Sequence, residues 1–205
     1  MSDTKPGMNV LDVGCGSGRL LDHAGHSITR LNNFTLTDID PKVFRTVTRR
    51  KYSEKINFVV ADICSKKLDE RLTLGYFDRI LCLFTLYILS PEKQRLALTN
   101  IAKLLSRNGI IVLTIPTSRY RANSIIEDAQ LQAHQMGEAP SRFSSAVLKI
   151  WLGKIERNIH SGIFSAFDQE QMSDSLTAVG LELRHLVETY GGNAVHLIIG
   201  RSRNH

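Results

Sequence analysis

Three glycines at alternate positions follow a short apolar run near the start of the chain, in the stretch VLDVGCGSG (residues 10–18). Because glycine lacks a Cβ atom, such a loop lets a ligand approach its backbone closely. A dinucleotide-binding loop reads G-x-G-x-x-G and rests a pyrophosphate on the following helix. Here Arg19 stands where the third glycine is needed, and Asp12 would repel a pyrophosphate. The loop therefore favours a ligand that carries a cation and no phosphate.

Short apolar segments alternate with helical patterns over the first half of the chain. Strands are predicted over residues 10–13, 34–39, 56–63, 77–84 and 110–115. Helices are predicted to begin near Ser17, at Pro41 and at Pro91, and Gly109 is expected to end the last of these. Strands that alternate with helices imply right-handed βαβ crossovers, and therefore an α/β fold with a mostly parallel sheet.

The alternation lapses after residue 116 and resumes near residue 168. Helices are predicted over residues 122–135 and 144–157, the second with Val147, Ile150, Trp151 and Ile155 along one side. Asp168 begins a further helix that Gly180 stops. Two apolar runs joined by YGGN (residues 190–193) then predict a hairpin. The pattern predicts one domain over residues 1–205, whose sheet ends in an antiparallel C-terminal hairpin, with a helical insertion at about 117–167.

Composition excludes several classes of protein. Apolar residues make up 42% of the 205 and charged residues 22%, which is ordinary for a globular protein. No apolar run approaches the roughly 20 residues of a membrane span, and no signal peptide is expected. No cluster has the spacing of metal ligands, and three scattered cysteines favour a reducing cytoplasm.

The net charge of +6 permits binding to nucleic acid without requiring it. Basic residues crowd one segment, which is either a solvated helix face or a patch for an anionic partner: Lys42, Arg45, Arg49, Arg50, Lys51 and Lys55.

The glycine loop and four later motifs together resemble the class I S-adenosylmethionine-dependent methyltransferases. D-x-G-x-G-x-G after a first strand resembles the family's first motif, and TDIDP (residues 37–41) its second. VADI (60–63), FDRILCLF (77–84) and NGIIVL (108–113) resemble the next three. The resemblance implies a Rossmann-like three-layer sandwich with a seven-stranded sheet, and S-adenosylmethionine as cofactor.

The resemblance also assigns site residues. Asp38 would accept hydrogen bonds from the ribose diol, about 20 residues after the loop, and Asp62 would take the adenine amino group while its neighbour packs on the ring. The cofactor residues implied are Asp12, Gly14, Cys15, Gly16, Gly18, Asp38, Ile39, Asp62, Ile63 and Leu83. Asp62 can alternatively cap the next element, and Cys15 and Cys82 read as small buried residues rather than nucleophiles.

The acceptor is less constrained than the cofactor. LFTLY (83–87) lacks the N-P-P-Y or D-P-P-Y of enzymes that methylate exocyclic amino groups, and resembles small-molecule methyltransferases. Tyr87 occupies a position where many of these carry histidine or glutamate, so it is the candidate catalytic residue. The other acceptor candidates, each of which can instead be structural, are Phe84, Tyr120, His134, Trp151 and His160.

The leading hypothesis is therefore methyl transfer to the O, N or C atom of a small molecule. A small excess of basic residues in the segment 117–167 slightly favours acidic or phosphate-bearing acceptors. Two alternatives stay open. An RNA methyltransferase would bind RNA with steep salt dependence. A non-catalytic cofactor-binding subunit would bind the cofactor without turnover. An NAD-binding dehydrogenase is the fourth and least favoured hypothesis.

Overall fold

The computed structural model describes residues 5–48, 56–135 and 142–202. Its centre is a seven-stranded sheet in the order β3-β2-β1-β4-β5-β7-β6. The strands are β1 (Asn9–Val13), β2 (Asn33–Asp38), β3 (Asn57–Val60), β4 (Phe77–Leu83), β5 (Leu105–Pro116), β6 (Leu181–Thr189) and β7 (Ala194–Arg201). The α-helices are α1 (Leu20–Ala24), α2 (Lys42–Val47), α3 (Pro91–Leu104), α4 (Ala122–Gln135), α5 (Arg142–His160) and α6 (Gln169–Thr177).

The first five strands run parallel, and β7 pairs antiparallel with both β5 and β6. The predicted mostly parallel sheet with a C-terminal hairpin is therefore confirmed. Helices α3 and α6 begin where the sequence predicted their caps, whereas α1 begins at Leu20 rather than near Ser17. Ser90 Oγ accepts a hydrogen bond from Lys93 N at 3.4 Å, and Asp168 Oδ1 accepts one from Gln171 N at 2.8 Å.

The two faces of the sheet carry separate apolar clusters. Because successive strand residues point to opposite faces, Ile80 and Cys82 pack in one cluster with Ile101 of α3. Leu81 packs in the other with Leu21 of α1. Helices α1 and α2 follow β1 and β2, so they cover that end of the second face. The second face is left partly exposed over β5, where Ile110 and Val112 are half-buried.

The prediction that Gly109 ends a helix was wrong. Helix α3 stops at Leu104, and β5 begins at Leu105. The pairing of β4 with β5 shifts register between Phe77 and Arg79, so the chain crowds against its neighbour there. A Cβ atom on Gly109 would lie 2.9 Å from the carbonyl oxygen of Phe77. Gly109 is needed for this close approach of two strands rather than for a helix end.

The predicted apolar side of α5 is only partly buried. Ile150 is 74% exposed and Trp151 58% exposed. Ile155, which the prediction included, is buried, and Leu152 and Ile159 are buried at helical spacing from it; the side chain of Val147 lies outside the described residues. Among the described helices, none is both long and apolar enough to cross a bilayer.

Candidate cofactor and acceptor site

The glycine loop joins β1 to the start of α1 in a tightly hydrogen-bonded turn. Gly14, Gly16 and Gly18 have φ angles of 71°, 50° and 68°, which residues with a Cβ rarely adopt. The amide of Gly14 donates to Thr37 O at 2.9 Å, and that of Cys15 donates to the same oxygen at 3.1 Å. The loop is therefore fastened to the carboxyl end of β2, where a parallel sheet binds its ligands.

The first and second glycines of the loop face different surroundings, which gives a matched pair of variants. A Cβ atom on Gly14 would overlap the Thr85 side chain, whereas one on Gly16 would meet nothing within 4 Å. Gly14→Ala is expected to cost several kcal/mol, and Gly16→Ala only the backbone strain of about 1–3 kcal/mol. Urea unfolding of both variants measures the difference. Adding Thr85→Ala should restore part of the loss in Gly14→Ala; no restoration would contradict the overlap.

Asp38 lies at the end of β2 and is drawn to the loop. Its Oδ2 accepts a hydrogen bond from Gly16 N at 3.0 Å, and its Oδ1 accepts one from Asp40 N at 3.0 Å. Asp40 Oδ1 in turn accepts from Lys42 N at 2.9 Å, as expected of a residue at the start of a helix. Each carboxylate oxygen of Asp38 keeps a second lone pair for a ligand hydroxyl.

Asp12 is buried at the end of β1, 4% exposed. Burial, reinforced by the negative charge of Asp38, raises the pKa of Asp12 from 3.8 to about 7. A cation bound nearby would favour the ionised form of this carboxyl.

The ends of β2 and β3 meet at the same edge of the sheet, since Ala61 N donates to Asp38 O at 3.0 Å. Asp62 follows immediately, and its Oδ1 accepts from Cys64 N at 2.8 Å. Asp62 therefore stabilises a turn through Oδ1, and its Oδ2 is the oxygen that would accept a hydrogen bond from a ligand. Ile39 is 65% exposed above the sheet, whereas Ile63 is 8% exposed and packs in the core.

The three cysteines are free thiols, and burial raises the pKa of each. The pKa of Cys15 reaches about 12, with Asp12 and Asp38 adding to the effect of burial. Thiols in this state are poor nucleophiles, in agreement with the structural interpretation of Cys15 and Cys82. In the basic segment Lys42 and Arg45 are exposed, whereas Arg49, Arg50, Lys51 and Lys55 lie outside the described residues.

A cavity of about 840 Å³ begins at the carboxyl end of β4 and extends across the second face of the sheet. Its floor consists of side chains from β4, β5 and β7, chiefly Leu81, Leu83, Ile110, Val112, His196 and Ile198. Arg19 and Arg79 also line it, and among the described lining residues there is no Asp or Glu. The cavity is therefore apolar with a positive balance.

Aromatic side chains surround the cavity beside β4. Phe84 and Tyr190 are the non-glycine residues with positive φ among those described, at 53° and 51°. Their rings lie 5.7 Å apart, and Phe84 lies 6.4 Å from Tyr87. Strained backbone that persists in a folded protein clusters at functional sites. These two strained residues meet in one contact at the mouth of the cavity.

The structure separates the predicted acceptor residues into two groups. Phe84, Tyr87, Tyr120 and Trp151 line the cavity. His160 does not belong to its lining and lies at the end of α5, with Nε2 2.8 Å from Arg121 Nη1. The side chain of His134 falls outside the described residues.

Tyr87 is unsuited to be a base. It is 5% exposed and packs edge-on to Phe164 at 5.2 Å between ring centroids. Burial raises the pKa of this phenol, so it stays protonated at neutral pH. The hydroxyl group of Tyr87 can therefore donate a hydrogen bond to the methyl acceptor. It is a poor base, because it is already protonated.

Sequence reasoning missed several lining residues, notably Arg79, Val112, Tyr190 and His196. An arginine at the centre of the apolar strand FDRILCLF was an available signal, because a charged residue in such a strand requires a polar or ligand-binding environment. No comparable signal marked His196, which lies in a hairpin strand far from the other motifs.

The fold and the loop together define the class. The sheet order 3-2-1-4-5-7-6, with a reversed seventh strand and a D-x-G-x-G-x-G loop at β1, agrees with the expected resemblance to class I methyltransferases. A family model described as a methyltransferase domain matches residues 10–109. Residues 10–109, about half of the chain, therefore form a methyltransferase domain, and the fold is the one found in solved S-adenosylmethionine-dependent methyltransferases.

Solved structures share this fold at low sequence identity. A TehB-like S-adenosylmethionine-dependent methyltransferase from Corynebacterium glutamicum is 17% identical, with a TM-score of 0.63, over 98% of this chain and 84% of that one. The N-methyltransferase NodS from Bradyrhizobium japonicum, in complex with S-adenosyl-L-homocysteine, is 18% identical with a TM-score of 0.60, over 98% and 81%.

A curated relative is much longer than this chain. The highly reducing polyketide synthase AFT9-1 of Alternaria alternata is 30% identical over 116 residues, which cover 52% of this chain. The chain spans 4% of the length of that relative.

Proposed function

We propose that this enzyme methylates a small-molecule acceptor bound in the 840 Å³ cavity on the second face of the sheet. The main support for this proposal is the position of the cavity beside the glycine loop. It opens at Leu83 and Phe84, and the next residue, Thr85, lies against Gly14 of the cofactor loop. An acceptor in the cavity would therefore meet the cofactor at the end of β4. The volume lies within the roughly 300–1,000 Å³ typical of small-molecule sites.

The residues present fit S-adenosylmethionine. Gly16 leaves open space where a side chain would stand, Asp38 offers lone pairs to a ribose diol, and the buried Asp12 favours a ligand with cationic groups. Asp62, at the adjoining edge, would accept from the adenine amino group. The cofactor supplies a methyl group made electrophilic by its sulfonium.

The remaining work of the protein is to align the acceptor and exclude water. The lid we propose is the segment 117–167, and its described residues Tyr120, Trp151, Leu152 and Ile155 line the cavity. Tyr120 is buried, and burial raises its pKa, so its hydroxyl is a proton donor that can orient an acceptor oxygen or nitrogen.

The lining also supports an acceptor class. An apolar floor fits an acceptor with an apolar body, and the positive side chain of Arg19 at the cavity supports a molecule with an acidic group. The three free thiols support a reducing compartment, which we propose to be the cytoplasm.

Incubation of the protein with a metabolite extract and trideuteromethyl-labelled cofactor tests this function. A small metabolite that gains one trideuteromethyl group in place of a hydrogen supports the proposal. Label found on RNA would instead support the RNA alternative. Cofactor binding without a labelled product in any extract would favour a non-catalytic subunit.

Filling the cavity should impair methylation without impairing cofactor binding. Val112→Trp places a large side chain on the cavity floor, where the acceptor would lie. We expect methylation to fall at least about tenfold, since the loss of one well-packed apolar contact is worth 1–3 kcal/mol. Affinity for S-adenosylhomocysteine, measured by calorimetry, should change by less than about twofold. Ile150→Trp, on the exposed side of α5, is the matched control. Unchanged turnover in Val112→Trp would contradict the assignment of the cavity.

A further inference from the structure

We propose that His196 is the general base that removes a proton from the acceptor, and that Thr114 holds its imidazole ring in place. The inference rests on the proposed function, because it takes the cavity as the acceptor site. It also replaces Tyr87, whose protonated phenol cannot serve as a base at neutral pH.

The pairing of the strands places His196 on the cavity floor near the cofactor edge. Leu83 of β4 pairs with Thr114 of β5, and Thr114 pairs with His196 of β7. Residues paired across neighbouring strands point to the same face, so these three form one lateral row. Two strand spacings of about 4.8 Å separate its ends by about 10 Å. An acceptor atom held over Thr114, midway along the row, would lie between a methyl group delivered from the Leu83 end and the imidazole at the other end, and could therefore meet both.

Thr114 orients the ring. Its Oγ1 lies 2.7 Å from His196 Nδ1, and Thr114 is fully buried at 0% exposure. When the Thr114 oxygen accepts from Nδ1–H, the lone pair of the neutral imidazole is on Nε2. The ring also packs edge-on against Tyr190, with 6.5 Å between centroids. A hydrogen bond on one nitrogen and an aromatic contact thus fix the plane of the ring.

Among the described residues that line the cavity, His196 is the side chain best able to accept a proton at neutral pH. The other ionisable side chains of the cavity are Arg19, Arg79, Tyr87, Tyr120 and Tyr190. Guanidinium groups do not accept protons, and phenols are weak bases near neutral pH. On β6 the paired residue is Val187, and the adjacent Glu188 binds Arg119 at 2.6 Å. Burial lowers the pKa of His196, so its imidazole is neutral at pH 7 and ready to accept.

The proton balance of the step is complete. As the acceptor atom bonds to the methyl carbon, the carbon–sulfur bond breaks and its electron pair stays on sulfur. The proton of the acceptor passes to His196 Nε2, and the imidazolium returns it to water. Removing the proton in the transition state matters for hydroxyl, carbon and protonated amine acceptors, which defines the acceptor class as one with an ionisable hydrogen.

The ring state can be measured without an acceptor. In ¹⁵N-histidine NMR of the protein, with His196 identified by its absence in His196→Gln, we expect the Nδ1–H tautomer and a pKa below 6.5. In Thr114→Val the preference for that tautomer should be lost. An Nε2–H tautomer in the parent protein would overturn the inference, since Thr114 would then be the donor.

Turnover separates this inference from the proposed function. With the labelled metabolite, His196→Gln is expected to lower kcat about 10²- to 10⁴-fold, with affinity for S-adenosylhomocysteine within about twofold of the parent. Added imidazole should restore part of the activity of His196→Ala, which a purely structural role would not allow. His185→Gln, on the exposed part of β6, is the control and should keep the parent rate.

Two negative results have different meanings. If the parent protein labels a metabolite and His196→Gln does so at the same rate, the role of His196 is wrong and the proposed function stands. If the parent protein labels nothing in any extract, the proposed function fails, and the role of His196 fails with it.

Discussion

Asp12→Asn is expected to stabilise the ligand-free protein at pH 8 while weakening its affinity for the cofactor. The folded protein raises the pKa of Asp12 from 3.8 to about 7, chiefly through burial. Below about pH 4 the carboxyl is neutral in both the folded and unfolded states. As the pH rises toward 7, the unfolded state releases its proton first, so the parent protein loses stability. Above about pH 7 the loss is complete and constant.

The shift of about 3 pK units sets an upper limit of about 4 kcal/mol on this loss. Asparagine stays neutral, so the variant avoids the loss, and its advantage over the parent should grow between pH 4 and 7. Urea unfolding at several pH values measures it. Asp69→Asn is a control of opposite sign, because Arg71 holds the pKa of that exposed carboxyl at about 2. An Asp12→Asn variant less stable than the parent at pH 8 would contradict the assigned burial penalty.

The affinity of Asp12→Asn for S-adenosylmethionine tests whether an acid at this position favours a cationic ligand. A cationic ligand favours ionised Asp12, so binding to the parent releases a proton below pH 7 and strengthens as the pH rises toward 7. In Asp12→Asn this dependence should disappear, and affinity at pH 8 should fall on the order of tenfold or more. Calorimetry with S-adenosylmethionine in buffers of different ionisation enthalpy measures both the affinity and the proton release.

Asp38→Ala is the second variant with a large expected effect. It removes the oxygen that accepts from Gly16 N, and with it the carboxylate proposed to hold the ribose diol. Losing hydrogen bonds to a charged group costs about 1.5–3 kcal/mol, so affinity for S-adenosylhomocysteine should fall about 10- to 100-fold.

Asp40→Ala is the matched control, because Asp40 bonds the start of α2 and not the loop. It should cost the helix about 1 kcal/mol and leave cofactor affinity within about twofold of the parent. Calorimetry on both variants, with NAD in parallel, decides the matter. Equal losses of affinity in the two variants would contradict the assignment of Asp38, and binding of NAD by the parent would contradict the argument from Asp12.

The meeting of the glycine loop with Asp38 at one edge of the sheet was predictable from the sequence because its signals are local. The glycine spacing, the acid at residue 12 and the acid at the end of the second strand each lie within a few residues of a strand end. Parallel strands bring such ends to one edge of a sheet whatever else the chain does. The hydrogen bond from Gly16 N to Asp38 is the contact that this reasoning anticipates.

The acceptor cavity was not predictable in the same way. The sequence singled out Tyr87 for its position after the fourth strand, but the protein buries that phenol and raises its pKa. It also grouped the exposed Ile150 and Trp151 with the buried Ile155 of α5, because they fit an apolar stripe as well as Leu152 and Ile159 do. Hydrophobic spacing identifies a helix, yet which apolar side chains face the core depends on what packs against it.

The sequence by itself determined the class of fold, the order of its strands along the chain and the chemistry of the glycine loop, because these depend on local patterns. The tertiary structure alone decided which residues share the floor of the cavity. Leu83, Thr114 and His196 are separated by dozens of residues and meet because β4, β5 and β7 pair in one register. A slip of one residue would turn His196 to the opposite face of the sheet. Register is set by packing of the whole sheet, which no local stretch of sequence encodes.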